Sequence, residues 1–258
     1  MKAVLIGAGN LATQLGKALV RRHACEVVQV YSRTKASASA LGEALQAEAV
    51  TSIADVRTDA DLYVVALKDS AFAEVATRLT QGREQALFVH TAGSLPMSAW
   101  EGKASRYGVF YPMQTFSRQR DVDFSSIPIF IEARHAADRD CLMALARRLS
   151  SQVMEADSAQ RRALHLSAVF ACNFTNHMYA ICEQLLAEAG LPFASMLPLI
   201  DETAAKAHVM SPRQAQTGPA VRYDENVIGK HLKALSGHPE WQELYEKISK
   251  SIHDYDKL

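Results

Sequence analysis

Neither sign of charge is in excess in this 258-residue chain, where 28 Lys and Arg balance 28 Asp and Glu. The balance removes the global field that would draw in nucleic acid or an acidic membrane, so any anion site has to be local. Cysteine is scarce: Cys25, Cys141, Cys172 and Cys182 form no C-x-x-C pair. That argues against a disulfide framework and for a reduced, cytoplasmic setting. There is no H-E-x-x-H and no carboxylate-rich loop, so no metal is expected. Long apolar runs are missing too. The run Ala3 to Ile6 is interrupted at once by Gly7 and Gly9, which is too short for a signal-peptide core, and no stretch approaches a membrane span. The expectation is a cytoplasmic protein working on a small molecule, with no nucleic-acid or membrane partner.

The first part alternates strand-like and helix-like segments. Strands are expected at Lys2 to Ile6, Glu26 to Tyr31, Leu62 to Leu67, Ala86 to His90, Tyr107 to Tyr111, Ile127 to Ile131 and Gln152 to Glu155. Helices are expected from Leu11, over Lys35 to Ala47, Ala71 to Leu79 and Asp138 to Leu149. Such alternation predicts an α/β Rossmann domain with a mostly parallel, doubly wound sheet. After Asp157 the pattern changes. Ser158 to Ala189 reads as one long helix without internal Gly or Pro, ended by Gly190 and Pro192. The rest is helical, with breaks near Pro212, Gly218-Pro219 and Gly237. Two domains are therefore expected, a nucleotide-binding one over 1–157 and an all-α one over 158–258.

Gly7-Ala8-Gly9-Asn10-Leu11-Ala12 fits G-x-G-x-x-A and falls between a strand and a helix. The first glycine permits the tight turn, the second lets backbone approach a pyrophosphate, and Ala12 lets the helix pack close. The phosphates would rest on the helix N-terminus, where free N–H groups and the dipole favour anions. At the end of the second strand an NAD site usually has Asp or Glu for the ribose hydroxyls. Here Ser32-Arg33-Thr34 stands instead. Two hydroxyls and a guanidinium suit a 2′-phosphate, so NADP(H) is the expected cofactor. Ligands of open parallel sheets lie beyond the carboxyl ends of the strands. Three further segments meet there: Leu67-Lys68-Asp69-Ser70, His90-Thr91-Ala92-Gly93-Ser94 and Tyr111-Pro112-Met113. Asp69 and Ser94 also read as helix caps.

Taken together these motifs resemble a known family. The N-terminal part is similar to pyrroline-5-carboxylate reductases and deazaflavin-dependent NADP oxidoreductases. The helical part resembles the domain DUF2520. The resemblance rests on Gly7 to Ala12, on His90-Thr91-Ala92-Gly93, on the helix Leu164 to Phe174, and on Thr217-Gly218-Pro219 with Arg222, Asp224 and His231. It implies a homodimer held through the helical domain. Three positions depart from the family pattern: Tyr111-Pro112 replaces His-Pro, Ala92 replaces a serine, and Tyr223 replaces a glycine.

Helical spacing puts His165, Val169, Cys172 and Asn176 on one stripe, with Asn173 on its flank. A histidine there can supply the proton that accompanies hydride transfer, and an asparagine can orient a carbonyl or imine. Lys68 is a further candidate, as acid or carboxylate partner. A satisfied core histidine and a solvated loop lysine are the plainer readings of the same residues. Arg222, Asp224 and His231 read as capping or contact residues. The expected function is an NADP(H)-dependent oxidoreductase acting on a small carbonyl, hydroxy acid or imine. The competing reading is a non-catalytic NADP(H)-binding redox sensor. Polar groups converging at His165 and Asn173, in a cleft expected between the domains, would favour the enzyme.

Overall fold

The computed structural model describes residues 1–255. They form two compact units, one running from Met1 to His177 and the other from Met178 onward. The first unit therefore includes the segment 158–177, which the sequence pattern grouped with the helical domain.

An eight-stranded sheet organises the first unit: β1 Lys2–Ile6, β2 Glu26–Tyr31, β3 Glu48–Val50, β4 Leu62–Val65, β5 Leu87–His90, β6 Arg106–Pro112, β7 Ile129–Ala133 and β8 Val153–Glu155. Their spatial order is β3-β2-β1-β4-β5-β6-β7-β8. The order reverses between β1 and β4, which is where a doubly wound sheet opens a crevice for ligands. All pairs are parallel except β6 with β7. That exception follows from the connection. Parallel neighbours need a crossover, usually a helix. Residues 113–128 carry only a 3₁₀ turn, Phe124–Ser126, so the chain returns antiparallel.

Strand residues alternate between the faces. Leu5, Val64 and Val89 face one core, with Leu15 and Leu19 of α1 (Asn10–Arg21), Leu41 of α2 (Lys35–Leu45) and Leu142 of α4 (Ala136–Arg147). Val4, Ile6, Tyr63, Val65 and Phe88 face the other, with Phe72 and Leu79 of α3 (Asp69–Leu79) and with Trp100. Helices thus cover both faces of the sheet.

The long helix starts at an Asp157–Gln160 capping box and is α5, Ser158–Ala168. It is not α-helical throughout. Val169–Phe174 is a π-helical segment, after which α6 runs over Thr175–Glu188. The hydroxyl of Thr175 donates to the carbonyl of Phe170, five residues back, at 3.2 Å.

The second unit consists of the rest of α6 with α7 (Leu197–Lys206), α8 (Pro212–Ala215), α9 (Pro219–Arg222), α10 (Glu225–Ala234) and α11 (Pro239–Tyr255). Asp224 caps α10 by accepting from the Val227 N–H at 3.2 Å, and His231 Nδ1 lies 2.8 Å from Tyr245 Oη. Both are structural uses. Tyr223 is left-handed, at φ 49°, a conformation that glycine adopts at no steric cost. Among the described residues no helix is long and apolar enough to cross a membrane.

Candidate functional site

β1 delivers the chain to the glycine turn. Gly7 has φ +119°, and a Cβ there would fall 2.4 Å from the carbonyl oxygen of Ala66, just past β4. Only glycine meets both demands. A Cβ on Gly9 would meet nothing within 4 Å, so this side of the turn is open for a phosphate to approach. Gly9 is the N-cap of α1 and supplies no side chain, and the first turn contains no acidic residue. The first N–H groups of α1 are therefore left for an outside acceptor.

β2 ends at Tyr31, and the N–H of Ser32 donates to Val50 O at 3.1 Å. Arg33 is exposed. Thr34 is the N-cap of α2 but makes no side-chain capping bond. A hydroxyl at a cap position that its own helix leaves unused, next to an exposed guanidinium, fits a bound 2′-phosphate. On these two observations, the open glycine turn and the unused cap, the residues present fit NADP(H).

Beyond the carboxyl ends of β4, β5 and β6 lies a cavity of about 640 Å³. Leu11, Leu67, Asp69, Thr91, Ala92, Gly93, Tyr111 and Pro112 line it, together with His165 and Asn173. Every lining residue belongs to the first unit, so the cavity does not depend on a cleft between domains. Asp69 accepts from Ser94 Oγ at 2.6 Å.

On this wall Tyr111 Oη is 3.4 Å from His165 Nδ1, with the rings edge-on at 71°. Burial raises the Tyr111 phenol above its usual range, and the positive charge of Arg161 pulls the other way. Arg161 itself is 1% exposed. It pairs with Glu132 of β7 and donates to Leu95 O at 2.7 Å and to Ser158 Oγ at 3.2 Å. Ser158 Oγ in turn lies 2.9 Å from Glu132 Oε2 and accepts from the Met97 N–H at 3.0 Å. This buried cluster fastens the first turns of α5 to the sheet. His165, one turn beyond Arg161, is thereby held over Gly93.

Not every residue singled out in the sequence reaches the cavity. Lys68 is the N-cap of α3, exposed, and is not among the lining residues. Asn176 is exposed and also outside it. The reason is the π segment: a turn with i→i+5 bonds takes up an extra residue, so the phase that joined His165 to Asn176 is lost. Val169, Cys172 and Asn173, inside the π segment, do line the wall. His90 ends β5 but points into the core, 1% exposed and edge-on to Phe72 with centroids 5.7 Å apart. Ala8, Gly9, Asn10, Ser32, Arg33 and Thr34 lie at the glycine turn, the start of α1 and the end of β2, outside the cavity itself.

Two lining residues went unread in the sequence, Gln114 and Thr115, and so did Arg118, which donates to the Ala8 carbonyl. All three lie in the connection between β6 and β7. The available signal was its length, since long connections without structure of their own are commonly functional.

Residues 2–93 match the family of NADP oxidoreductases described as coenzyme F420-dependent, and residues 127–252 match DUF2520, a domain of unknown function. No curated protein matches the sequence. A crystal structure from Bacteroides fragilis, named as a proposed NADP oxidoreductase, is 59% identical, covers 98% of both chains and has a TM-score of 0.95. An imine reductase from Myxococcus stipitatus in complex with NADP+ shares the fold at 15% identity, over 98% of this chain and 92% of that one, with a TM-score of 0.68. A pyrroline-5-carboxylate reductase from Coxiella burnetii does so at 16% identity, over 99% and 97%, with a TM-score of 0.61. Identity at the level of the B. fragilis protein, over nearly all of both chains, means that this chain belongs to the family of NADP oxidoreductases that join such a Rossmann domain to DUF2520.

Proposed function

We propose that the protein is an NADP(H)-dependent oxidoreductase of a small carbonyl, hydroxy acid or imine, with Tyr111 and His165 as its proton-handling pair. The observation that carries this reading is the 3.4 Å approach of Tyr111 Oη to His165 Nδ1 on the cavity wall. Bound NADPH would supply the hydride. A phenol raised by burial keeps its proton at neutral pH. In the direction of reduction, Tyr111 gives that proton to the substrate oxygen or nitrogen and takes one from His165, in the tautomer carrying Nδ1–H. As Nδ1 gives up its proton, Nε2 of the half-buried ring takes one from solvent, so the imidazole stays neutral. Asn173, on the same wall, can orient the polar atom of the substrate. Such convergence of polar groups favours catalysis over a purely sensing role.

The test is a screen of NADPH oxidation against small ketones, 2-oxo acids and cyclic imines. Tyr111→Phe and His165→Gln should each lower kcat by about a hundredfold or more, with NADPH affinity little changed. Full turnover in both variants would return the pair to a structural role.

The same reading includes a homodimer held through the region after Asp157. Leu166, Phe170 and Phe174 recur every four residues and are 60%, 63% and 49% exposed. The cavity is lined by other positions of this helix. In the second unit Leu191, Leu199 and Val209 are also exposed. Apolar surface of this kind favours a second copy as its cover. Sedimentation at micromolar concentration should give about twice the 28.3 kDa chain mass.

A further inference from the structure

The connection between β6 and β7 is bound to α1 along its first half. Asn10 Nδ2 donates to Phe116 O at 3.0 Å, and Gln14 Nε2 donates to Ser117 O at 2.7 Å and to Arg120 O at 3.0 Å. Gln14 is only 2% exposed, a buried amide in an otherwise apolar helix face, whose Nε2 spends both its hydrogen bonds on this connection. Lys17 and Arg21 both pair with Asp121, at 3.0 and 2.8 Å. Phe116 stacks on Phe124 with centroids 5.7 Å apart. The segment is therefore built in place against α1.

This anchoring carries the Arg118 guanidinium to the glycine turn, where Nη2 donates to the carbonyl of Ala8, between Gly7 and Gly9. The cations at the C-terminal end of α1 are already matched: Lys17 and Arg21 by Asp121, and Arg22 by Asp123. Among the described residues Arg118 has no carboxylate partner, and its one hydrogen bond goes to the neutral carbonyl of Ala8. A guanidinium has five donors in a rigid fork suited to phosphate. Here most of them remain available, beside the side of the turn left open at Gly9. The same segment places Gln114 and Thr115 on the cavity wall, so it touches both the phosphate end and the reacting end of the site.

We propose that Arg118 is a phosphate-binding residue of the dinucleotide site, and that residues 114–118 form a clamp over the cofactor's pyrophosphate. This rests on the reading of the site as one for NADP(H). The experiment is titration of the full-length protein with NADP+ and with adenosine 2′-monophosphate, which has no pyrophosphate. Arg118→Gln keeps a donor for the Ala8 carbonyl but removes the charge. It should weaken NADP+ by about tenfold or more and leave adenosine 2′-monophosphate unchanged. Arg118→Lys, which retains the charge, should recover part of the loss. Arg33→Ala should weaken both ligands. If the wild type does not bind NADP+, the cofactor reading falls. If it binds and Arg118→Gln binds NADP+ equally well, the clamp falls and the cofactor reading stands. Equal loss of both ligands in Arg118→Gln would show a merely structural residue and also overturn the proposal.

Discussion

Gly93 lies directly beneath His165: a Cβ at Gly93 would come within 2.8 Å of His165 Cβ, Cγ and Nδ1. The glycine is there for space, since its φ lies outside the left-handed range. Gly93→Ala must push the imidazole away from the wall and from Tyr111. Displacements of this size in a reacting group cost about tenfold to a hundredfold in rate. The variant should therefore lose kcat while remaining folded, with overpacking costing about 1–3 kcal/mol. Steady-state kinetics and urea unfolding on the same preparation would check it. An unaltered kcat would mean that the position of His165 does not matter to turnover.

Cofactor choice should reside in Arg33. It is exposed at the end of β2, beside a Thr34 hydroxyl that caps nothing. Calorimetry should show NADPH binding at least about tenfold tighter than NADH, a difference of roughly 1.4 kcal/mol. Arg33→Ala should remove most of the gap by weakening NADPH alone. Equal affinities in the wild type would contradict the assignment.

The buried pair Arg161–Glu132, with side chains 1% and 15% exposed, should be costly to break from one side. Arg161→Met leaves a carboxylate inside the protein without its partner, and breaking such pairs costs about 3–5 kcal/mol. Adding Glu132→Gln should recover a large part of that loss, because the stranded charge is gone. Unfolding in urea reads both variants. If the double variant is no more stable than Arg161→Met, the cost comes from lost hydrogen bonds to Leu95 and Ser158 rather than from the charge.

The glycine turn, the order of strands and helices, and the three segments beyond β4, β5 and β6 were legible because each depends on local chemistry. Gly7 and Gly9 report a turn, and valine-rich runs bounded by polar residues report strands. What was not legible depended on register and on distant contacts. β3 has only three residues, Glu48 to Val50, too few to show a period. The π segment leaves no mark in the spacing of apolar residues, so Asn176 appeared to share a face with His165. β5 is buried on both faces, which erases the alternation that would have assigned His90 to the core. Arg118 is adjacent to Ala8 only because Gln14 and Asn10 hold a connection some hundred residues downstream, with |i−j| from 103 to 106.

His90 should make stability fall as the solution is acidified. Its ring is 1% exposed and edge-on to Phe72. Nδ1 accepts from the Ala92 N–H at 3.3 Å, and Nε2 has no partner among the described residues. Burial, reinforced by the positive charge of Arg161, lowers its pKa from 6.5 to about 4. Above pH 6.5 both folded and unfolded chains carry a neutral imidazole, so this residue adds no pH dependence. Between 6.5 and 4 the unfolded chain takes up a proton that the folded one refuses, and stability declines. Below about 4 both are protonated and the loss is complete. From pH 7 to pH 5 the loss from this one group is about 2 kcal/mol. His90→Asn keeps an acceptor for the Ala92 N–H and has no proton to gain in this range. It should therefore lose about 2 kcal/mol less than the wild type between the same two pH values, whatever its stability at pH 7. Parallel denaturant curves at pH 7 and pH 5 give the comparison. Equal pH dependence in the two proteins would show that His90 is protonated as readily in the folded chain as in the unfolded one.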